Sequence, residues 1–186
     1  MTGGAETDAT WEEHSMSEKL GAGSPVPAIT LDKVGGGSVT IGGARPNWQL
    51  VVVYRGKHCP ICKRYLAGLK DLVEGYKAAG TEVVAVSADP QEKADAFAGE
   101  IQPNFPVAYG LSVADMRRLG LYVSNPRSPQ ETDRAFAEPG LFVVNPSGQA
   151  QVVDISNAPF ARPDLGAILN GLKFIQEKGY PVRGTA

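Results

Sequence analysis

Cysteine is scarce in this chain. Among 186 residues there are two, Cys59 and Cys62, and only two histidines, His14 and His58. Tetrahedral zinc asks for four ligands, so a complete zinc site would need both histidines, with His58 awkwardly adjacent to Cys59. No charge of one sign dominates: 18 Lys and Arg face 20 Asp and Glu, for a net charge of −2. That balance argues against a general nucleic-acid or membrane-surface role. No apolar run approaches the roughly 18 residues of a membrane span, and the N-terminus lacks a charged-then-apolar signal segment. The expected location is therefore the cytoplasm, where closely spaced cysteines point to redox or metal chemistry rather than to a permanent staple. Internal repeats are missing too. The length, with 42% hydrophobic and 20% charged residues, suits one soluble domain with a good core.

The informative stretch is Tyr54-Arg55-Gly56-Lys57-His58-Cys59-Pro60-Ile61-Cys62. Before it, Leu50 to Tyr54 is an unbroken apolar run, as in a strand buried on both faces. After it, Tyr65, Leu66, Leu69, Leu72, Val73 and Tyr76 recur every three or four residues, the signature of a helix with one apolar face. Proline suits the first helical position, so Cys59 is expected at the N-cap and Cys62 almost one turn deeper. The amides of Ile61 and Cys62, the helix dipole, and Lys57, Lys63 and Arg64 would all favour a negative charge on Cys59. Such surroundings lower a thiol from about 8.5 to between roughly 3.5 and 7.5. Because nucleophilicity falls with basicity, the net gain as attacker is a few-fold, and the larger gain is as leaving group. Three readings of the pair stand: a working dithiol/disulfide couple, half of a zinc site, and inert cysteines in a spent redox fold. The local setting favours the first, with Cys59 as attacking thiolate and Cys62 closing the disulfide.

Taken in order, residues 1–22 form an N-terminal arm with capping-box spacing at Thr10 to Glu13 and a helix expected over 11–20. The domain over 23–186 opens with a β-hairpin, 28–31 and 38–41, around three consecutive glycines. The βαβ unit then has strand 50–54, helix 60–78 and strand 82–87. A helix over 90–101, a short strand at 107–109 and a short helix at 113–119 follow. Residues 124–138 have no clear periodicity and read as a long loop positioned to cover the cysteines. A hairpin, 140–145 and 150–155, turns at Pro146-Ser147-Gly148, and a last helix runs from Asp164 to about Lys178.

Order and motif together resemble the peroxiredoxin-like (AhpC/TSA, redoxin) branch of the thioredoxin superfamily over roughly residues 22–178. The resemblance rests on Gly23-Ser24-Pro25-Val26-Pro27, YRGKHCPICKRYL, EVVAVSADP, NFPVAYG and PGLFVVNPSGQ. It implies an α/β thioredoxin-like fold: a central mixed sheet flanked by helices, with an N-terminal β-hairpin. Two departures stand out. Typical members carry Pro seven residues and Thr or Ser three residues before the peroxidatic cysteine, where this chain has Val52 and Gly56. The arginine that precedes the GLF-type strand is replaced by Pro139, which looks like the thioredoxin cis-proline and predicts a cis Glu138–Pro139 bond.

The implied activity is a thiol oxidoreductase that reduces peroxides through Cys59 and Cys62 and is reset by a thioredoxin- or glutathione-type reductant. Since donors around the leaving oxygen carry much of the rate, Arg162 or Arg55 is a candidate replacement cation. His58 is either a proton shuttle or part of the groove rim, and Pro139 a wall of the substrate groove. The two departures point instead to protein disulfide exchange, or to a slow peroxidase. A redox-sensing protein that binds a partner without turnover is the reading from another class. No cofactor, metal, nucleic acid or membrane is expected, and a homodimer is allowed.

Overall fold

The computed structural model describes residues 19–186. The helix expected over 11–20 lies outside them apart from its last two residues, Lys19 and Leu20, which are not helical. Strands β1 (Ile29–Asp32) and β2 (Ser38–Ile41) pair antiparallel as the expected N-terminal hairpin. The central strand β3 (Trp48–Val53) leads into helix α1 (Pro60–Leu69). A single 3₁₀ turn, Lys70–Leu72, separates α1 from α2 (Val73–Ala78), and β4 (Thr81–Val86) returns parallel to β3. Helix α3 (Gln91–Ile101), strand β5 (Val107–Ala108) and helix α4 (Val113–Arg118) follow.

The stretch expected as an unstructured loop is closed at its base. Strand β6 (Val123–Ser124) pairs antiparallel with β7 (Phe136–Ala137). Strands β8 (Gly140–Val144) and β9 (Ala150–Ile155) form the second hairpin, and α5 (Leu165–Lys178) ends the fold, with the Asp164 carboxylate accepting from the Ala167 amide at 2.7 Å. The five-stranded sheet has the order β5-β4-β3-β8-β9, parallel on one side of β3 and antiparallel on the other.

Alternation along β3 splits the core into two layers. Leu50 and Val52 face Leu66, Leu69, Phe97 and Leu169 of the helices, whereas Val51 and Val53 face Ile29, Ile41, Met116 and Phe142. Burial of β3 on both faces explains why it reads as a continuous apolar run.

The expected cis Glu138–Pro139 bond is not there: no peptide bond among the described residues is cis. The chain passes extended from β7 to β8, with the Glu138 amide donating to Tyr122 O at 2.8 Å and the Pro139 carbonyl accepting from Ser156 at 3.0 Å. Both neighbouring ladders are satisfied by the trans chain, and proline at a strand start gives up an amide that the pairing does not use.

Candidate active site

The corner between β3 and α1 is built tightly. Pairing continues one residue past β3, where the Tyr54 amide donates to Val86 O at 3.0 Å. Val52 lies inside this ladder, opposite Ala85 and Leu141, where a proline would leave an acceptor unmatched. The chain then turns at Gly56, whose φ of 133° is closed to ordinary side chains. A Cβ there would lie 2.7 Å from Asp89 Oδ1. The buried Asp89 carboxylate fills that space and accepts from the Lys57 amide at 2.7 Å. Asp89 thus occupies the volume that a Thr or Ser at position 56 would need.

Cys59 is the N-cap of α1, in extended conformation (φ −99°, ψ 103°), with Pro60 in the first turn. Its sulfur accepts from the Cys62 amide at 3.3 Å. Both cysteines are free thiols, 1% and 0% exposed. The Cys59 thiol is drawn down to about 6, first by a hydrogen bond from the Cys62 side chain. The Cys62 amide, the Arg162 charge and a bond from Arg55 add to this, and burial opposes it. Cys62 moves the other way: burial pushes it far up, and donation to Cys59 adds to the rise. One sulfur is held as the anion and its neighbour as the neutral donor, an asymmetry that suits stepwise thiol chemistry.

Two arginines reach the pair. Arg162, between β9 and α5, donates through Nη2 to Cys62 Sγ at 2.9 Å and through Nε to Pro159 O at 2.8 Å. Arg55 has its Nε 3.1 Å from Glu138 and its Nη2 3.4 Å from Glu131. Its guanidinium lies 4.7 Å from the Phe136 ring centroid. His58 packs edge-on against the same ring at 4.7 Å, and both its ring nitrogens are buried without a hydrogen-bond partner. Burial, then the Arg55 charge, holds the imidazole below its ordinary value, so it is neutral near pH 7. Pro139 lines a small cavity with Tyr65 and Arg162. Lys57 and Lys63 pair with Glu100, and Arg64 is exposed, so the cations acting on Cys59 are Arg162 and Arg55.

Three acidic residues of the site escaped the sequence reading. Asp89 reads only as the start of a helix. Glu131 sits in an aperiodic stretch, and Glu138 is masked by the proline after it. Glu138 is 5% exposed and also accepts from Ser124 Oγ at 2.7 Å. The 124–136 segment therefore seats against His58 and Arg55 through Glu131 and Phe136. An open cleft of about 440 Å³ remains there, lined by Lys57, His58, Lys63, Lys93 and Glu131 among others. Among the described residues no three His, Cys, Asp or Glu side chains cluster as a metal ion would require.

A mixed five-stranded sheet with a dithiol at the mouth of the helix after its central strand defines a thioredoxin-like protein with a candidate thiol centre. Residues 22–153, well over half the chain, match the model of the AhpC/TSA family, and the chain belongs to that family. Peroxiredoxin Q, chloroplastic, of Sedum lineare is 31% identical over 90 residues, covering 48% of each chain. Its counterpart from Suaeda salsa is 30% identical over 83 residues, covering 45% of this chain and 39% of the relative. The chain thus matches less than half the length of these relatives. Among solved structures, a peroxiredoxin-like protein from Aquifex aeolicus superposes with a TM-score of 0.73 at 17% identity, covering 86% of this chain and 90% of that one. Peroxidoxin BcpB from Mycobacterium tuberculosis gives 0.69 at 16% identity, with 84% and 98% covered. At such identities the superpositions establish the shared fold.

Proposed function

We propose that this chain is a thiol peroxidase that works through a Cys59–Cys62 dithiol/disulfide cycle. The carrying observation is the Cys59 sulfur at the mouth of α1, accepting from the Cys62 amide at 3.3 Å with its thiol drawn down to about 6. The thiolate attacks the terminal oxygen of a hydroperoxide. An S–O bond forms, the O–O bond breaks, and the departing alkoxide takes a proton and leaves as alcohol or water. Cys62 then displaces hydroxide from the Cys59 sulfenic acid, giving the disulfide and water. A thioredoxin-type dithiol, or two glutathione-type thiols, supplies the two electrons that restore the pair. The cycle needs a reducing compartment, and the cytoplasm is the proposed one.

Disulfide exchange is a second reading, favoured by a specific feature. Arg55, which also bonds to Cys59, is engaged by Glu138 and Glu131, so part of its charge is already neutralised before a peroxide arrives. A missing donor at the leaving oxygen costs about 10²–10³ in rate. Stopped-flow oxidation of the reduced protein by hydrogen peroxide, an organic hydroperoxide and a model disulfide separates the two. The peroxidase reading expects a hydroperoxide to oxidise the protein faster than it oxidises a free thiolate, with the rate abolished in Cys59→Ser. Peroxide consumption no faster than in Cys59→Ser, beside rapid reaction with the disulfide, would replace it with the exchange reading.

A further inference from the structure

The deeper cysteine poses a problem for any two-cysteine cycle. Cys62 has to attack as an anion, yet it is 0% exposed, and no water reaches the sulfur to stabilise that charge. The chemistry needs a cation within the protein. Arg162 is positioned as one: its Nη2 lies 2.9 Å from Cys62 Sγ, within range for a charge-assisted bond. The guanidinium is held in place independently of the sulfur. Nε donates to Pro159 O at 2.8 Å, and the plane lies 5.1 Å from the Tyr65 ring centroid. Tyr65, one turn beyond the cysteines on α1, donates its hydroxyl to Pro163 O at 2.8 Å. The segment bearing Arg162 is thereby tied to the helix bearing Cys62 at Pro163, the residue after the arginine.

We propose that Arg162 is a catalytic residue of the closing step, stabilising Cys62 as the thiolate while it attacks the sulfur of Cys59. The inference rests on the two-cysteine cycle proposed above and adds what drives its second half. Arginine stays protonated in proteins, so it is not the base. The Cys62 proton leaves with the displaced group. With Cys59 as sulfenic acid, an S–S bond forms, the S–O bond breaks, and hydroxide takes that proton as water. With Cys59 in a mixed disulfide, the Cys59–Cys62 bond forms, the S–S bond to the outside sulfur breaks, and that sulfur leaves with the electron pair. It takes the Cys62 proton as a thiol or, when it is a weakly basic thiolate, leaves the proton to water. Arg162 also lends its charge to Cys59, but its direct bond is to Cys62, whereas the Arg55 side chain bonds to Cys59. The titratable and charged groups facing Cys62 are Cys59 at the N-cap, Tyr54 and Arg55 at the end of β3, and Arg162 from the segment before α5. Burial raises the Cys62 thiol and Cys59 adds to the rise, Arg162 pulls against both, and burial keeps Tyr54 neutral.

The test is a single-turnover reaction of reduced protein with an aromatic disulfide that releases a coloured thiolate. Cys59 attack releases the first equivalent, and closure by Cys62 releases the second. In Arg162→Met the second release is expected to slow about tenfold or more at pH 7, the loss of one charge-assisted bond. The first release changes only a few-fold. Arg162→Lys, which keeps the charge, falls between, and the rate of closure against pH moves to higher pH in Arg162→Met. An unchanged second release would overturn the proposal, as would equal slowing of both releases with Lys no better than Met. Should the Met variant unfold, Arg162→Gln, uncharged but still a donor, reads the same two rates. A wild-type protein releasing a single equivalent would bring down the two-cysteine cycle and this proposal together. Two equivalents from a protein inert to peroxide would overturn only the peroxidase reading and leave the Arg162 comparison decisive.

Discussion

The chemistry turns on a competition at one sulfur. Burial alone would push Cys59 up, and donors from the Cys62 side chain and amide, with charge from Arg162 and Arg55, pull it down to about 6. Alkylation by iodoacetamide should follow the thiolate, rising with pH to a half-maximum at about 6 and flat above pH 7, where about nine-tenths of Cys59 is ionised. Arg55→Met should move that midpoint upward, and a midpoint near 8.5 in the wild type would mean that the N-cap setting is inert. The motif made this residue legible because everything that first names it, the proline, the strand and the helix, is adjacent in sequence. Asp89 shows the opposite case. It shapes the corner by lying against Gly56 from 33 residues downstream, and no local pattern announces it. Gly56→Thr should therefore cost at least about 1–3 kcal/mol, through strain at a φ of 133° and displacement of the Asp89 carboxylate. Urea unfolding reads that loss, and a neutral result would mean that Asp89 moves aside freely.

Elements with a strong period in the chain formed where the period put them: β3, α1, α3, the two hairpins and α5. What the sequence concealed was decided by contacts between distant segments. The single helix expected over 60–78 is interrupted at Lys70–Leu72 although its apolar stripe runs on. The Asn104 side chain donates to the Lys70 carbonyl at 3.1 Å, and Lys70 Nζ reaches Ile101 O at 3.0 Å; a carbonyl so engaged is drawn out of the i→i+4 ladder. The 124–138 stretch concealed β6 and β7 because two-residue strands carry no alternation to read. Its attachment to the site is electrostatic: Glu138 and Glu131 converge on Arg55, all nearly buried. Glu138→Gln keeps the shape and removes one charge. It should cost about 1–3 kcal/mol on unfolding, the range for a bond to a buried charge. Because less of the Arg55 charge is then neutralised, the Cys59 midpoint should also fall below its wild-type value. Loss of stability with an unmoved midpoint would mean that Glu138 braces the segment without tuning the thiol.

For the molecule as a whole, the acidity of Cys59 becomes a property of the proposed Cys59–Cys62 redox couple. An anion stabilised only in the reduced protein favours reduction. With Cys59 at about 6, the reduced state gains on the order of 1 kcal/mol at pH 7 relative to a pair of ordinary thiols, worth a few tens of mV (~30 mV) for a two-electron couple. The pH dependence fixes the sign without needing that magnitude. Below pH 6 reduction takes up two protons, one on each sulfur, and the potential falls by about 59 mV per pH unit. Above pH 6 Cys59 stays ionised on reduction while Cys62, pushed far up by burial, still takes its proton. The slope should then halve to about 30 mV per unit and hold there through pH 8. Equilibration of the protein against a thiol redox buffer across pH 5 to 8, with the disulfide fraction read by mass shift after alkylation, gives the curve directly. A slope near 59 mV per unit up to pH 8 would mean that both sulfurs titrate as ordinary thiols in the folded protein. The break should also travel with the residue-level perturbations: upward in Arg55→Met and downward in Glu138→Gln. A potential whose break ignores both variants would detach the couple from the arginine and carboxylates packed beside it.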